Sequence, residues 1–226
     1  MENHLAENLK KIKQKLPKEV TLVAVSKTKP EQDILKVYQA GQRIFGENKV
    51  QEMVGKYQSL PKDIQWHMIG HLQRNKIKYM AEFVSLIHGV DQFKKLQEIN
   101  KQAKKHQRVI SCLLQVKIAK EETKFGLSFK ETEAILQDPN LPDLKNIKIV
   151  GLMGMASFTQ DKEQVKKEFC SLSKFYKTLK EKYHTNNIAF TTLSMGMSGD
   201  YPLAIECGSN MVRIGSAIFG ERNYSI

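Results

Sequence analysis

The feature that most constrains the fold is an alternation, repeated along the whole chain, between short apolar runs and longer polar segments with helical periodicity. Some of the runs, such as residues 21–25 (TLVAV), are apolar without a break, which is typical of strands covered on both faces of a parallel sheet. Eight such β–α units in succession predict a (β/α)8 TIM barrel. The predicted strands span residues 20–26, 43–47, 65–69, 83–90, 109–118, 149–156, 189–195 and 211–219.

The segments between these runs have the marks of helices. Residues 31–40 follow Pro30 and end at Gly41, which suits the start and the end of a helix, and residues 162–182 carry apolar side chains at helical spacing. Residues 4–16 predict one extra amphipathic helix before the first strand. An open doubly wound sheet is the alternative, but no G-x-G-x-x-G follows the first strand, as its Rossmann version would require. We therefore expect residues 1–226 to form one barrel domain.

Composition places the chain among globular proteins. Of its 226 residues, 41% are hydrophobic and 27% are charged, and no apolar run approaches the roughly 20 residues that a bilayer span needs. Residues 1–15 lack the apolar core of a secretory signal, which favours a cytoplasmic location. The three cysteines, Cys112, Cys170 and Cys207, are odd in number and widely spaced, so reduced thiols are expected.

The net charge of +12 admits two interpretations. A basic field can bind nucleic acid or a membrane surface, but the lysines here are scattered among glutamates, glutamines and apolar residues with little aromatic interleaving. This scatter favours solvated helix faces over a specific nucleic-acid or membrane site. A positive surface would still attract an anionic ligand such as a phosphate ester.

Lys27 stands at the end of the first predicted strand, in a run that is otherwise apolar. Partial burial at that position disfavours the ammonium and would lower the pKa of the amine. A neutral amine is what attack on an aldehyde requires. The alternative is a lysine whose side chain extends from the barrel mouth into solvent.

Two loops rich in serine and glycine follow the seventh and eighth predicted strands, at residues 194–198 and at Gly215-Ser216. TIM barrels often bind phosphate between these loops, where glycine lets the backbone approach and N–H groups and hydroxyls donate hydrogen bonds. Alternatively, the glycines only form tight turns, and Ser198 or Asp200 caps the next helix. An amine at the first strand and a phosphate cradle at the last two indicate pyridoxal 5′-phosphate (PLP), which carries both an aldehyde and a phosphate.

Several motifs carry a resemblance to a known family: LVAVSKTKP (22–30), FGENKVQE (45–52), WH (66–67) followed by IGHLQRNK (69–76), EETKFG (121–126), LSMGMS (193–198) with Asp200, and GSNMVRIGSAIFG (208–220). Through them the chain resembles the pyridoxal phosphate homeostasis protein family over nearly its whole length. Two positions depart from the family pattern, because His71 stands where many relatives have proline and Lys117 where many have asparagine.

The resemblance implies a PLP-binding barrel of fold type III, like the barrel of alanine racemase. It also assigns residues to the cofactor. They are Lys27 for the Schiff base, Asn48 beside the ring, Arg213 at the pyridine nitrogen, and Ser194, Gly215 and Ser216 at the phosphate.

Two functions of different classes follow, a PLP carrier and an amino-acid racemase. An arginine at the ring nitrogen keeps that nitrogen unprotonated and weakens the ring as an electron sink. Racemisation also needs a second acid/base group opposite Lys27, and only Tyr201 lies near, while the chain ends shortly after Gly220 without the added domain of alanine racemase. We therefore expect a non-catalytic, monomeric carrier that serves PLP-dependent apoenzymes. His67 and His71 lie at a strand end rather than on a helix, so we expect no metal site.

Overall fold

Parallel strands close into a barrel in the computed structural model, which describes residues 4–121 and 125–221. The order of strands is β6-β5-β4-β3-β2-β1-β9-β8, with β6 pairing β8 to close the ring, and the short β7 pairs antiparallel with β8 outside it. This confirms the predicted eight-stranded TIM barrel. The strands are β1 Thr21–Val25, β2 Ile44–Glu47, β3 Gln65–Met68, β4 Leu86–Val90, β5 Ile110–Lys117, β6 Ile147–Met155, β7 His184–Thr185, β8 Ile188–Ser194 and β9 Met211–Ile214.

Helices surround the barrel and bury apolar residues in its core. The extra N-terminal helix is present, and Leu9 and Ile12 are its buried residues. Within the described ranges, no helix is both long and apolar enough to cross a membrane. The α-helices are α1 His4–Lys15, α2 Glu31–Gln39, α3 Val50–Ser59, α4 Phe93–Lys105, α5 Phe129–Leu136, α6 Lys162–Lys182, α7 Tyr201–Glu206 and α8 Ser216–Phe219, with 3-10 turns at Arg74–Tyr79 and Leu141–Asp143. Helix α1 packs on α8 and α2, and α7 packs on α6.

The interior of the barrel is layered. Five strands contribute a buried apolar layer, made of Val23, Leu86, Leu113, Met153 and Met211. Because side chains two apart on a strand share a face, the next inward positions toward the carboxyl ends form a second layer. That second layer is largely polar, and it includes His88, Gln115 and Arg213.

The last predicted strand is too long. Residues 211–219 were expected to be one strand, but β9 ends at Ile214, and Ser216–Phe219 form the helical turn α8. Ile218 and Phe219 are buried, and the Asn8 side chain of α1 donates a hydrogen bond to the Ile218 carbonyl (3.2 Å). The apolar run therefore continues from the barrel wall onto the inner face of a short helix.

The expectation that all three cysteines are unpaired thiols is wrong for two of them. Cys170 on α6 and Cys207 at the end of α7 form a disulfide, with their Cα atoms 4.8 Å apart. The pairing escaped sequence analysis because 37 positions separate the two residues and only the packing of α7 against α6 brings them together. Cys112 on β5 is buried and free.

Candidate cofactor site

A cleft of about 710 Å³ opens at the carboxyl ends of the barrel strands, where TIM barrels place their functional residues. The structure brings five of the six predicted site residues to its wall. They are Lys27 after β1, Asn48 after β2, Arg213 on β9, and Gly215 and Ser216 at the start of α8.

Lys27 reaches this cleft from a tight turn. The Ser26 carbonyl accepts a hydrogen bond from the Lys29 N–H (3.0 Å), so Lys27 occupies the second position of a β-turn. Lys27 is partly buried, whereas Ser26 beneath it is fully buried. Lys29 also lines the cleft, but its ammonium donates to the carbonyls of Phe219, Gly220 and Glu221 at 3.1–3.2 Å.

The other end of the cleft is lined by hydroxyls and backbone amides. The Ser198 hydroxyl accepts hydrogen bonds from the N–H groups of Gly215 (3.2 Å) and Ala217 (3.5 Å), and Ser198 and Ser216 both face the cleft. Gly215 packs tightly, since a Cβ atom there would lie 3.3 Å from the Val25 carbonyl oxygen. The Ser198 and Ser216 hydroxyls can donate to a phosphate group, and the Gly215 and Ala217 N–H groups would do so on exchanging Ser198 for a phosphate oxygen. The sequence predicts that the loop of Ser198 binds a phosphate, but it does not assign Ser198 itself to the ligand.

Ser194 is in a different place from its predicted partners. As the last residue of β8 it points into the barrel, is fully buried and does not line the cleft. Its hydroxyl accepts from Arg213 Nη1 (2.6 Å) and lies 3.2 Å from His88 Nδ1, and His88 Nε2 lies 3.1 Å from His67 Nδ1. Ser194 thus joins Arg213 to two buried histidines, and its contact with a phosphate stays a prediction.

Burial determines the protonation states of His67, His88 and Arg213. It lowers the pKa of His67 to about 3 and the pKa of His88 well below the ordinary value, so both rings are neutral at neutral pH. Burial also lowers the pKa of Arg213, to about 10, which leaves the guanidinium charged. The Ser194 carbonyl (2.9 Å) and the Gly154 carbonyl (3.1 Å) also accept from it, and Asp200 favours its charge from a distance.

These residues fit PLP in their chemistry. Lys27 offers a primary amine for the aldehyde, Ser198, Gly215 and Ser216 offer hydroxyl and N–H groups for the phosphate, and Arg213 offers a fixed cation for the pyridine nitrogen. An arginine held by carbonyl oxygens and a hydroxyl donates to an unprotonated nitrogen and disfavours its protonation.

A second acid/base group opposite Lys27 was sought at Tyr201. Tyr201 begins α7 and packs against Gly196, and among the described residues that line the cleft there is no tyrosine. The two histidines considered for a metal lie apart, because His67 bonds to His88 inside the barrel while the His71 ring packs at a tilt on Phe125 at the rim (ring centroids 4.7 Å). In residues 4–121 and 125–221, no group of three or more His, Cys, Asp or Glu side chains is placed to hold a metal ion.

The sequence comparisons give a consistent result. The family described as alanine racemase, N-terminal domain, matches residues 2–223. Proteins named pyridoxal phosphate homeostasis protein match nearly end to end. The one from Vibrio alginolyticus is 42% identical over 92% of this chain and 89% of its own length, and the one from Escherichia coli K12 is 34% identical over 99% of both.

Solved structures agree with the sequence matches. PipY of Synechococcus elongatus is 36% identical in its structure without PLP, with a TM-score of 0.88 over 96% of this chain and all of that one. Its structure with PLP bound gives a TM-score of 0.86 at 35% identity, over the same shares of the two chains. Alanine racemase from Bartonella henselae, at 16% identity and a TM-score of 0.73 over 97% of this chain and 60% of that one, shares the fold.

The motif EETKFG lies partly outside the described residues, at 122–124.

Proposed function

This chain belongs to the pyridoxal phosphate homeostasis protein family, and on that premise we propose that its cleft holds PLP on Lys27 to store, buffer or deliver the cofactor in the cell. The observation that carries the proposal is that an amine, a group of hydroxyl and N–H donors and a buried arginine face one cleft at the barrel mouth. PLP bound to PipY, which is 35% identical and shares the fold, supports it.

Each residue has a distinct task in this proposal. Lys27 forms the Schiff base, Asn48 lies beside the ring, and Gly215, Ser216 and Ser198 bind the phosphate. Arg213 donates to the pyridine nitrogen, and Ser194 acts by holding Arg213 from inside the barrel. When bound, PLP supplies an aldehyde that condenses with amines and a ring that withdraws electrons from the attached carbon.

The same site argues for a carrier over an enzyme. A charged Arg213 keeps the ring nitrogen unprotonated, which weakens the electron sink that demanding PLP chemistry needs. The cleft also offers no tyrosine, among its described residues, to act as the second acid/base group of a racemase. Amino-acid racemisation is the alternative, favoured by the barrel shared with alanine racemase.

The remaining parts of the proposal concern the setting. We infer that the whole chain, residues 1–226, acts as one monomeric PLP-binding domain in the cytoplasm and passes the cofactor to PLP-dependent apoenzymes. A specific nucleic-acid partner is not part of this proposal, because the basic residues that give the +12 charge are scattered along the chain.

Lys27→Ala tests the cofactor assignment. With added PLP, the unmodified protein should show the visible absorbance band of a lysine Schiff base, and borohydride should fix a pyridoxyl group on the Lys27 peptide. Lys27→Ala should lose both signals, because it lacks the amine. Lys29→Ala is the matched control and should keep both, since the Lys29 ammonium is bound to three carbonyls.

An unmodified protein without the band, or a band that survives in Lys27→Ala, would refute the assignment. The loaded protein in deuterium oxide then separates carrier from racemase. A carrier leaves the α-proton of alanine unexchanged, whereas a racemase replaces it with deuterium.

A further inference from the structure

The turn that carries Lys27 is strained. Thr28, the next residue, has φ of +64°, in the left-handed region that β-branched residues rarely adopt. A positive φ at the third position of a β-turn normally calls for glycine or asparagine. Such a conformation persists only where the surrounding structure holds it in place.

One buried cluster holds this turn from both sides of Lys27. Lys56 on α3 donates to the Ser26 carbonyl (2.8 Å) and binds Glu47 (2.8 Å) and Glu52 (2.6 Å). Glu52 accepts from the Thr28 N–H (2.6 Å), and Glu47 accepts from the Ser26 hydroxyl (2.5 Å). The residue before Lys27 and the residue after it are therefore tied to the same lysine.

The cluster is a poor way to stabilise a helix against a barrel. The Lys56 side chain is 7% exposed and that of Glu47 is 0% exposed, so both charges lose most of their hydration. Burial raises the pKa of Glu47 to about 7, and one of its oxygens, Oε2, has no hydrogen-bond partner in the described part of the chain. Apolar residues of similar volume would pack there at less cost, which indicates that the cluster is kept for where it places the backbone.

We propose that Lys56, Glu47 and Glu52 form a positioning cluster, which fixes the turn 26–29 so that the Lys27 amine meets the cofactor aldehyde without rearrangement. The inference rests on the proposed function and adds positioning residues to it. Fixing the backbone on both sides of Lys27 sets the origin of its side chain before the cofactor arrives. Preorganisation of this kind lowers the entropic cost of making the bond and slows its loss.

Lys56→Met tests the inference, with Lys95→Met as the matched control. Methionine keeps the apolar stem of Lys56 and removes the donor to Ser26 and both glutamates. Lys95 is also a buried lysine, with a side chain that is 5% exposed. It forms an ion pair at 2.6 Å with Asp91, four residues before it in the sequence. It lies on α4, and its ion-pair partner Asp91 follows β4 rather than β1 or β2.

Two measurements are made on each folded variant. The first is the rate at which PLP leaves the loaded protein, followed by the absorbance band with an excess apoenzyme as acceptor. The second is the rate at which an acylating reagent modifies Lys27 in the PLP-free protein, read by peptide mass spectrometry against pH. Lys56→Met should release PLP about tenfold faster and should shift the pH profile of Lys27 acylation, whereas Lys95→Met should change neither. Glu52→Gln, which keeps an acceptor for the Thr28 N–H, should lie closer to the unmodified protein than Glu52→Ala.

The inference would be overturned if a folded Lys56→Met variant released PLP and was acylated at Lys27 at the same rates as the protein without substitutions. It would also be overturned if Lys95→Met changed both rates as much as Lys56→Met does. The acylation measurement needs no cofactor. A protein that fails to form the Schiff base, yet shows the altered Lys27 profile in Lys56→Met, would refute the proposed function and leave the positioning cluster standing.

Discussion

At the scale of residues, the two serines of the motif LSMGMS have separable roles. Ser198 faces the end of the cleft where we propose that the phosphate binds, whereas Ser194 lies inside the barrel and binds Arg213. Ser198→Ala should weaken PLP binding about tenfold, because it removes a hydroxyl beside a doubly charged phosphate, and should leave the binding of pyridoxal, which lacks the phosphate, nearly unchanged. Titration of both ligands by absorbance measures the difference.

Ser194→Ala is the contrasting variant. It leaves an Arg213 donor without an acceptor in a buried site, which should lower the free energy of unfolding by about 1–3 kcal/mol in a urea titration. Ser198→Ala should lower the free energy of unfolding less than Ser194→Ala does, because the Gly215 and Ala217 N–H groups that lose their acceptor are only partly buried. Equal weakening of PLP and pyridoxal by Ser198→Ala would remove Ser198 from the phosphate site.

These two serines also show where sequence reasoning stops. The motif LSMGMS and the phosphate site common to TIM barrels predict a loop that the structure places at the cleft, but which of Ser194 and Ser198 can reach a ligand there depends on where β8 ends. Because side chains alternate along a strand, one residue of strand length decides whether Ser194 faces the interior or the cleft. The sequence does contain a sign of the positioning cluster. On α3, Lys56 lies three positions after the buried Met53 and four after Glu52, so the lysine shares the inner face of the helix and can pair with Glu52.

At the scale of elements, the disulfide between α6 and α7 makes a stability prediction. In a chain-entropy account, closing a loop of 37 positions stabilises the fold by up to about 4 kcal/mol, which corresponds to roughly 8 °C in the thermal midpoint of a chain this long. A reductant, or Cys170→Ser, should lower the midpoint in a calorimetric scan by up to that amount. Reductant should have no further effect on Cys170→Ser.

Thiol labelling supplies the control for that scan. The native, oxidised protein should take up no alkylating label, because Cys112 is buried and burial raises the pKa of its thiol. Two labels on protein purified without reductant would show that Cys170 and Cys207 are thiols, as the cytoplasmic location proposed above would favour.

The length of an element and the clarity of its ends determine whether the sequence predicts it. Residues 162–182 were predicted to the residue as α6, because its apolar stripe is long and its start is marked by Asp161, which caps the helix through the Gln164 N–H (3.0 Å). The run 211–219 was misread because continuous apolar residues fit a buried strand and a buried helical turn equally well. Only the packing of α8 against α1 separates the two, and that contact joins opposite ends of the chain.

At the scale of the whole molecule, local patterning determines the barrel and distant contacts determine its interior. Eight short runs buried on both faces leave few arrangements other than a closed parallel sheet with helices outside. No local pattern, however, announces that His67, His88 and Ser194 will meet, because they come from three strands and the last two are 106 positions apart. Buried titratable groups of this kind link the barrel interior to the pH dependence of the whole fold.

The sign of that dependence follows from three groups. The two histidines have folded pKa values below 6.5, so each is neutral in the folded state and gains a proton on unfolding below pH 6.5, which destabilises the fold as pH falls. Glu47 has a folded pKa of about 7 against an ordinary 4.5, so it holds a proton only in the folded state between these values and opposes the histidines. Because two histidines destabilise the fold as pH falls and one glutamate opposes them, the free energy of unfolding should fall by about 1.4 kcal/mol per pH unit from pH 6 to pH 5.

Urea titrations at pH 5, 5.5 and 6 on PLP-free protein measure this slope. Two variants separate the contributions of Glu47 and His67 to it. Glu47→Gln removes the opposing group and should roughly double the loss of unfolding free energy per pH unit, whereas His67→Gln removes one histidine and should bring the slope close to zero. If the slope is unchanged in both variants, exposed carboxylates rather than the barrel interior control acid unfolding. If Glu47→Gln alone changes nothing, the Lys56 bridge keeps Glu47 ionised in the fold, and the positioning cluster carries its full charge at neutral pH.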